Sequence, residues 1–225
     1  RISTCTELGC TDCHHTNPLD AVELLNSFPS TQLLRNPNLC AWLGGHVQTM
    51  SFKDHVRFMP HWLRRSMTPS AQEFVLNYIV PLCSNIHIAY AFYYECATYS
   101  DKVYKKLQNQ MLESFPVYKK DFIYTDSLIQ YMHELTHGHK FPIRLPAKLP
   151  YDPSTVVVRV NDPVVLQSAS KPSVFMLKTD KGNKYILVKT EDLAKDRLVM
   201  LFAHLIEQLC ATKCVQYPVF VTKWG

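Results

Sequence analysis

The sequence has no concentration of charge of one sign. Its 24 lysines and arginines are scattered, its formal net charge is only +5, and no basic run is longer than a pair such as Arg64-Arg65 or Lys119-Lys120. A nucleic-acid-binding arm needs a longer basic segment, so we predict no nucleic-acid partner. The mild positive charge still permits attraction to an anionic membrane surface.

The sequence also lacks an uninterrupted apolar segment of membrane-spanning length. Residues 74–94 are mostly apolar, but Asn77, Pro81, Asn85 and His87 interrupt them. Polar groups are costly in lipid unless they find partners, so the segment predicts two buried helices that meet near residues 81–85. There is no signal-peptide pattern, and the first residue is not methionine, so we expect a segment of a longer or processed protein.

The sequence also lacks the cysteine spacing of a disulfide-linked protein. The eight cysteines show no regular spacing in a chain long enough to build a core without cross-links, which indicates a reducing compartment. One group, here called the N-terminal Cys/His cluster, contains a C-x-x-C and comprises Cys5, Cys10, Cys13, His14 and His15. A structural zinc site needs a second ligand pair, so we interpret these cysteines as free thiols.

The first part of the sequence contains a series of helical segments. Asn17-Pro18, Asn36-Pro37 and Thr68-Pro69 combine a capping side chain with a proline suited to the first turn, and Ser51 is a further cap. Apolar residues recur at helical spacing between these starts. The pattern predicts a solenoid-like stack of antiparallel helix pairs, which ends with a helix over residues 125–135.

An aromatic stripe lies inside this helical region. It consists of Tyr90, Phe92, Tyr93 and Tyr94. We predict that it belongs to the core of the stack, and a partner-binding groove is the alternative.

The composition of the sequence changes after residue 141, from helix-forming to strand-forming segments. A proline-rich extended stretch is followed by predicted strands, a hairpin turn, a helix and a last strand: 156–160, 173–178, 184–190, the turn 179–183, the helix 191–210 and the strand 215–221. The fold class predicted is α+β. An all-α helical domain over residues 1–140 precedes an antiparallel sheet with one helix over residues 141–225.

One lysine in this second part suits a nucleotide site. Strand alternation places Tyr185, Leu187 and Lys189 on one face. A lysine at a strand end can reach phosphate oxygens, and Asp192 or Asp196 on the next helix can hold it. The plainer alternative is a strand-end lysine beside a helix start that favours acidic residues.

A loop between two strands supplies further candidates. Residues 167–172 include Ser168 and Ser170, whose amides and hydroxyls can face phosphates at a tight turn. The loop has no glycine, so it is neither a Walker loop nor a protein-kinase glycine loop. A plain serine-rich turn is the alternative.

Taken in order, these segments resemble phosphoinositide 3-kinases. Residues 149–153 (LPYDP) are similar to the start of that family's kinase domain, and residues 166–172 (LQSASKP) to its phosphate loop. Residues 178–189 (KTDKGNKYILVK) look most like the class III, vacuolar-sorting type, and residues 17–25 (NPLDAVELL) are similar to its helical domain. The resemblance covers nearly the whole chain, and it implies a helical accessory domain followed by the N-terminal lobe of a kinase.

The resemblance implies a function for the parent protein. It would transfer the γ-phosphate of ATP, with Mg²⁺ or Mn²⁺, to the 3-hydroxyl of phosphatidylinositol. Lys189 would contact the nucleotide phosphates, Asp196 would hold Lys189, and Ser168 and Ser170 would line the phosphate loop. Regulatory protein subunits and a cytoplasmic, peripheral location on endosomal or autophagic membranes are implied in the same way.

The sequence departs from the family pattern in two places. Residues 189–196 (KTEDLAKD) are one residue shorter than the family's KxGDDLRQD and lack its glycine and arginine. The catalytic loop and the metal-binding DFG motif are absent, so we expect the segment itself to be inactive. A phosphatidylinositol 4-kinase and a non-catalytic helical scaffold or pseudokinase remain alternatives.

A different enzyme class is suggested by one short motif. His133, Glu134 and His137 spell H-E-x-x-H, in which two histidines on one helix face ligate zinc and the glutamate acts as base. The motif falls at a predicted helix end before Gly138, and no later helix offers an obvious third ligand. A zinc peptidase is therefore a remote alternative, and we predict no metal site in the chain.

Overall fold

The computed structural model describes residues 37–64, 68–168, 171–189, 193–210, 213 and 219. The chain divides into two compact units, Arg1–Ser114 and Phe115–Gly225. Helices and an antiparallel sheet are both present, so the α+β class predicted from the sequence is confirmed. The solenoid-like stacking of the helices and the domain boundary at 140/141 stay predictions.

The described part of the first unit, here called the helical unit, is entirely helical. It contains five α-helices and two irregular helical segments. They are α1 Pro37–Thr49, α2 Phe52–Arg64, α3 Pro69–Phe74, a π-helix Val75–Ile79, a 3₁₀-helix Val80–Ser84, α4 Ile86–Ala97 and α5 Lys102–Ser114.

Side-chain caps begin four of these helices. The Ser51 hydroxyl accepts from the Asp54 amide at 3.2 Å, and the Thr68 hydroxyl accepts from the Ala71 amide at 3.4 Å. Asn85 caps α4, and Asp101 caps α5. Each cap satisfies an amide that has no partner within its helix. The predicted caps at Ser51 and Thr68 are confirmed, whereas those at Asn17 and Asn36 lie outside the described residues.

The apolar segment 74–94 forms helical pieces rather than one long helix. The π-helix continues into the 3₁₀-helix, which ends at Ser84, and α4 begins directly after Asn85. The predicted junction between two helices near residues 81–85 is therefore confirmed. No helix among the described residues is both long and apolar enough to cross a membrane.

The aromatic stripe belongs to the core of the helical unit, as predicted. Tyr90, Phe92 and Tyr94 are buried, and Tyr93 is partly buried.

The two adjacent glycines of α1 have different surroundings. An added Cβ at Gly44 would overlap the ring of Tyr78, whereas Gly45 faces open space. Gly44 therefore allows Tyr78 to pack directly against the backbone of α1.

The second unit, here called the sheet unit, contains a sheet, two α-helices and a short 3₁₀-helix among its described residues. A 3₁₀-helix at Pro116–Tyr118 leads directly into the first helix. The other elements are α6 Lys119–Thr136, β1 Ala147–Lys148, β2 Val156–Val160, β3 Val164–Val165, β4 Ser173–Thr179, β5 Gly182–Val188 and α7 Ala194–Cys210.

Strand β4 is the centre of the antiparallel sheet. It pairs with β5 along its whole length, while β2 and β3 share its other edge and β1 pairs with β2. The turn Asp180–Lys181 closes the β4–β5 hairpin, and Gly182 has the positive φ of +96° that a glycine tolerates. The predicted hairpin is therefore confirmed.

The core of the sheet unit lies on one face of the sheet. Phe175 and Leu177 of β4 pack there with Leu128 and Met132 of α6 and with Val157 of β2. Alternation along β4 therefore sends Val174 and Met176 to the opposite face. The result is a sheet with one covered face and one accessible face.

Several elements differ from their predicted limits. Helix α6 begins at Lys119 rather than at residue 125, and α7 begins at Ala194 rather than at residue 191. The two-residue strands β1 and β3 were not predicted as strands. The predicted strand 215–221 lies outside the described residues.

Candidate functional site

Strand β5 positions the candidate lysine. Ile186 and Val188 pack against the core of the sheet unit, whereas Tyr185 and Leu187 are 68% and 47% exposed. Lys189 follows the last residue of the strand. The predicted alternation along the strand is therefore confirmed, and it leaves the face that carries Tyr185 and Leu187 accessible.

Helix α7 supplies the acidic partner. Asp196 lies in its first turn, and its Oδ2 is 3.4 Å from the Nζ of Lys189. The two side chains are 35% and 26% exposed. Exposed ion pairs contribute only about 0.2–1 kcal/mol to stability, so the main effect of this pair is to orient Lys189. The alternative acid, Asp192, lies outside the described residues.

The serine-containing loop begins with a turn after β3. The amide of Ser168 donates to the carbonyl of Leu166 at 3.1 Å, and the amide of Lys171 donates to the carbonyl of Ser168 at 3.0 Å. Ser168 is exposed, and Lys171 has a positive φ of 41°. Ser170 lies outside the described residues.

The strand register places this loop and Lys189 at the same end of the sheet. Ser173, the first residue of β4, pairs with Val188, the last residue of β5. The loop leads into Ser173, and Lys189 follows Val188. Of the four predicted site residues, the structure therefore places Lys189 and Asp196 in contact and Ser168 at the same sheet end.

Two residues of β4 belong to this site but were not identified from the sequence. Val174 pairs with Leu187 and Met176 pairs with Tyr185, so all four side chains share the accessible face. They form an apolar surface that leads to Lys189. The sequence indicated β4 as a strand, but only its register with β5 shows which of its residues lie beside the lysine.

The zinc-protease motif lies at the end of α6, as its position before Gly138 predicted. The rings of His133 and His137 have centroids 4.6 Å apart, and Glu134 Oε2 is 3.2 Å from His139 Nδ1. In the part of the chain that the structure describes, no group of three or more histidine, cysteine, aspartate or glutamate side chains is arranged to hold a metal. The third ligand that a zinc peptidase needs is thus missing from these residues.

The N-terminal Cys/His cluster lies outside the described residues. Four other cysteines, namely Cys40, Cys83, Cys96 and Cys210, are free thiols. Burial raises the pKa of Cys83 and of Cys96, so neither thiol is suited to act as a nucleophile.

No known protein family and no curated protein matches this chain.

Proposed function

We propose that the sheet unit binds the phosphates of ATP through Lys189, as part of a lipid kinase that phosphorylates the 3-hydroxyl of phosphatidylinositol. The observation that carries this proposal is the contact between Lys189 and Asp196 at the end of a strand with an accessible apolar face. The shortened interval between the two residues still permits the ion pair. The resemblance to phosphoinositide 3-kinases supplies the identity of the reaction.

Each part of the site has a chemical task in this proposal. The ammonium group of Lys189 offers a point charge to phosphate oxygens, and Asp196 restricts its position. Ser168 presents its hydroxyl at the turn. The apolar surface of Val174, Met176 and Leu187 suits the flat face of a purine ring.

Phosphoryl transfer also needs a base and ligands for Mg²⁺ or Mn²⁺. The described residues contain no group of three or more metal-ligating side chains, so they do not fit a metal site of that kind. We therefore propose nucleotide binding for this chain and assign no catalytic step to it. A phosphatidylinositol membrane surface and regulatory protein subunits are the partners proposed for the parent protein, at endosomal or autophagic membranes.

Nucleotide binding to the 225-residue chain tests the proposal. We expect Lys189→Ala to weaken ATP binding about 10- to 100-fold, because hydrogen bonds to charged groups contribute about 1.5–3 kcal/mol. The matched control is Lys184→Ala. Lys184 is an exposed lysine of the same strand, but it pairs with Leu177, which faces the core, so it lies away from the accessible face. Isothermal titration calorimetry gives both affinities.

Two outcomes contradict ATP binding at this site: no binding by the unaltered chain, or equal weakening by the two lysine substitutions. Either outcome favours the non-catalytic scaffold. The lipid specificity is tested separately, by extending the chain into the parent protein and identifying the phosphorylated inositol position. A 4-phosphate product would replace the 3-kinase with a phosphatidylinositol 4-kinase.

A further inference from the structure

The end of α6 carries three histidines within seven residues: His133, His137 and His139. We propose that His133 and His137 together bind a divalent transition-metal ion, such as Zn²⁺, in a two-histidine surface site that has no catalytic role. This site is separate from Lys189 and does not depend on nucleotide binding.

The hydrogen bonds of His137 leave one ring nitrogen available as a ligand. Its Nδ1 lies 3.0 Å from the carbonyl oxygen of His133, which also accepts from the Thr136 hydroxyl at 2.6 Å. Nδ1 also lies 3.1 Å from the Thr136 hydroxyl, but that hydroxyl donates to the same carbonyl; if Nδ1 is the donor in this arrangement, Nε2 is the nitrogen whose lone pair can bind a metal. Metal-binding histidines are commonly oriented by such a hydrogen bond from their second nitrogen.

The spacing of the two histidines suits a chelate. Residues four apart share one helix face, and the ring centroids of His133 and His137 are 4.6 Å apart. A zinc ion bonded to both rings, with Zn–N distances of about 2.0–2.1 Å, requires ring nitrogens within about 4 Å of each other. His137 is exposed and His133 is partly exposed, so water can complete the coordination.

The surroundings favour a cation but not a peptidase. The carbonyl end of a helix carries partial negative charge, which stabilises a positive ion there. Glu134 is paired with His139, so its carboxylate is engaged where a peptidase would need a general base. Imidazole ligands prefer Zn²⁺, Ni²⁺ and Cu²⁺ to Mg²⁺ or Ca²⁺, which defines the expected ions.

Zinc binding is tested by calorimetry on the full 225-residue chain. The N-terminal Cys/His cluster is first removed by changing its three cysteines to serine and its two histidines to alanine, because thiols also bind zinc. We expect one zinc ion per chain in this background. His133→Ala and His137→Ala should each weaken binding at least tenfold, whereas His139→Ala should leave the affinity within about threefold.

A second control and a second measurement exclude effects on folding. His87→Ala removes a partly exposed histidine of α4 and should leave zinc binding unchanged. Zinc should also raise the melting temperature of the background chain but not that of His137→Ala, since a ligand stabilises only the state that binds it. The proposal is overturned if the background chain binds no zinc, or if His133→Ala and His137→Ala bind it as tightly as the background chain.

Discussion

Among the described residues, the helical unit buries or partly buries its large aromatic side chains except Phe52, whereas Tyr185 and Phe202 of the sheet unit are more than half exposed. Phe92 of α4 is 0% exposed and Tyr90 is 1% exposed, while Tyr185 of β5 is 68% exposed. One buried polar group of the helical unit finds a partner inside it, since Gln108 Nε2 donates to the carbonyl of Tyr93 at 3.1 Å. The buried Trp62 Nε1 and Gln110 Oε1, in contrast, have no hydrogen-bond partner in the described part of the chain. The buried rings of the helical unit contribute to its stability, and the accessible sheet face is the surface that the proposed nucleotide site would use.

The largest test of this comparison is a truncation in each unit. Phe92→Ala removes a fully buried ring and should lower the free energy of unfolding by about 3–5 kcal/mol. Tyr185→Ala removes an exposed ring and should change it by less than about 0.5 kcal/mol. Urea denaturation followed by circular dichroism measures both changes. Similar losses in the two variants would show that the units do not differ in this way.

A pair of adjacent glycines sharpens the comparison within the helical unit. Gly44→Ala should destabilise by about 1–3 kcal/mol, because the new Cβ overlaps the ring of Tyr78. Gly45→Ala meets open space, so the higher helix propensity of alanine should stabilise by up to about 1 kcal/mol. Thermal denaturation of both variants gives the sign of each effect. A stabilised Gly44→Ala variant would argue against tight packing at this point.

The smallest effect is expected at a surface carboxylate of the sheet unit. Burial raises the pKa of Asp152, but hydrogen bonds from Ser154 and Thr155, together with the charge of Lys181, outweigh burial and hold it below its ordinary value. Such a group stabilises the fold above its unfolded pKa of about 3.9, and this contribution is lost as pH falls through the lower folded value.

Asp152→Asn tests this contribution. It should cost up to about 1 kcal/mol at neutral pH, since solvent screens a partly exposed carboxylate. The difference between the variant and the unaltered chain should shrink as the pH falls below about 4. Denaturation of both chains across this pH range checks the sign. A difference that stays constant across this pH range would show that the charge of Asp152 is not its source.

Local chemistry predicted much of this fold. The cap at Thr68 and the alternation along β5 depend only on neighbouring residues, so the sequence indicated both correctly. The short strands β1 and β3 exist because they pair with β2 and β4, and two residues alone give no readable pattern. The start of α6 was misplaced because the 3₁₀-helix Pro116–Tyr118 leads into it without a side-chain cap.

The candidate site was predicted in the same partial way. Lys189 and Asp196 could be proposed from a strand end and the following helix start, and the structure places them in contact. Val174 and Met176 could not be proposed from the sequence, because they lie beside the lysine only through their pairing with particular residues of β5. Cross-strand register is set by the packing of the whole sheet, which a single sequence does not display.

Because β4 lies at the centre of the sheet, the packing of the core and the composition of the accessible face depend on the same strand pairing. Its register with β5 decides at once that Phe175 is enclosed and that Val174 lies beside Leu187. A shift of this register by one residue would turn the core-facing side chains of β4 to the accessible face and the accessible side chains to the core. Any sequence drift that preserves the core of this unit therefore also preserves the orientation of the surface next to Lys189, so selection for folding alone keeps that surface in place.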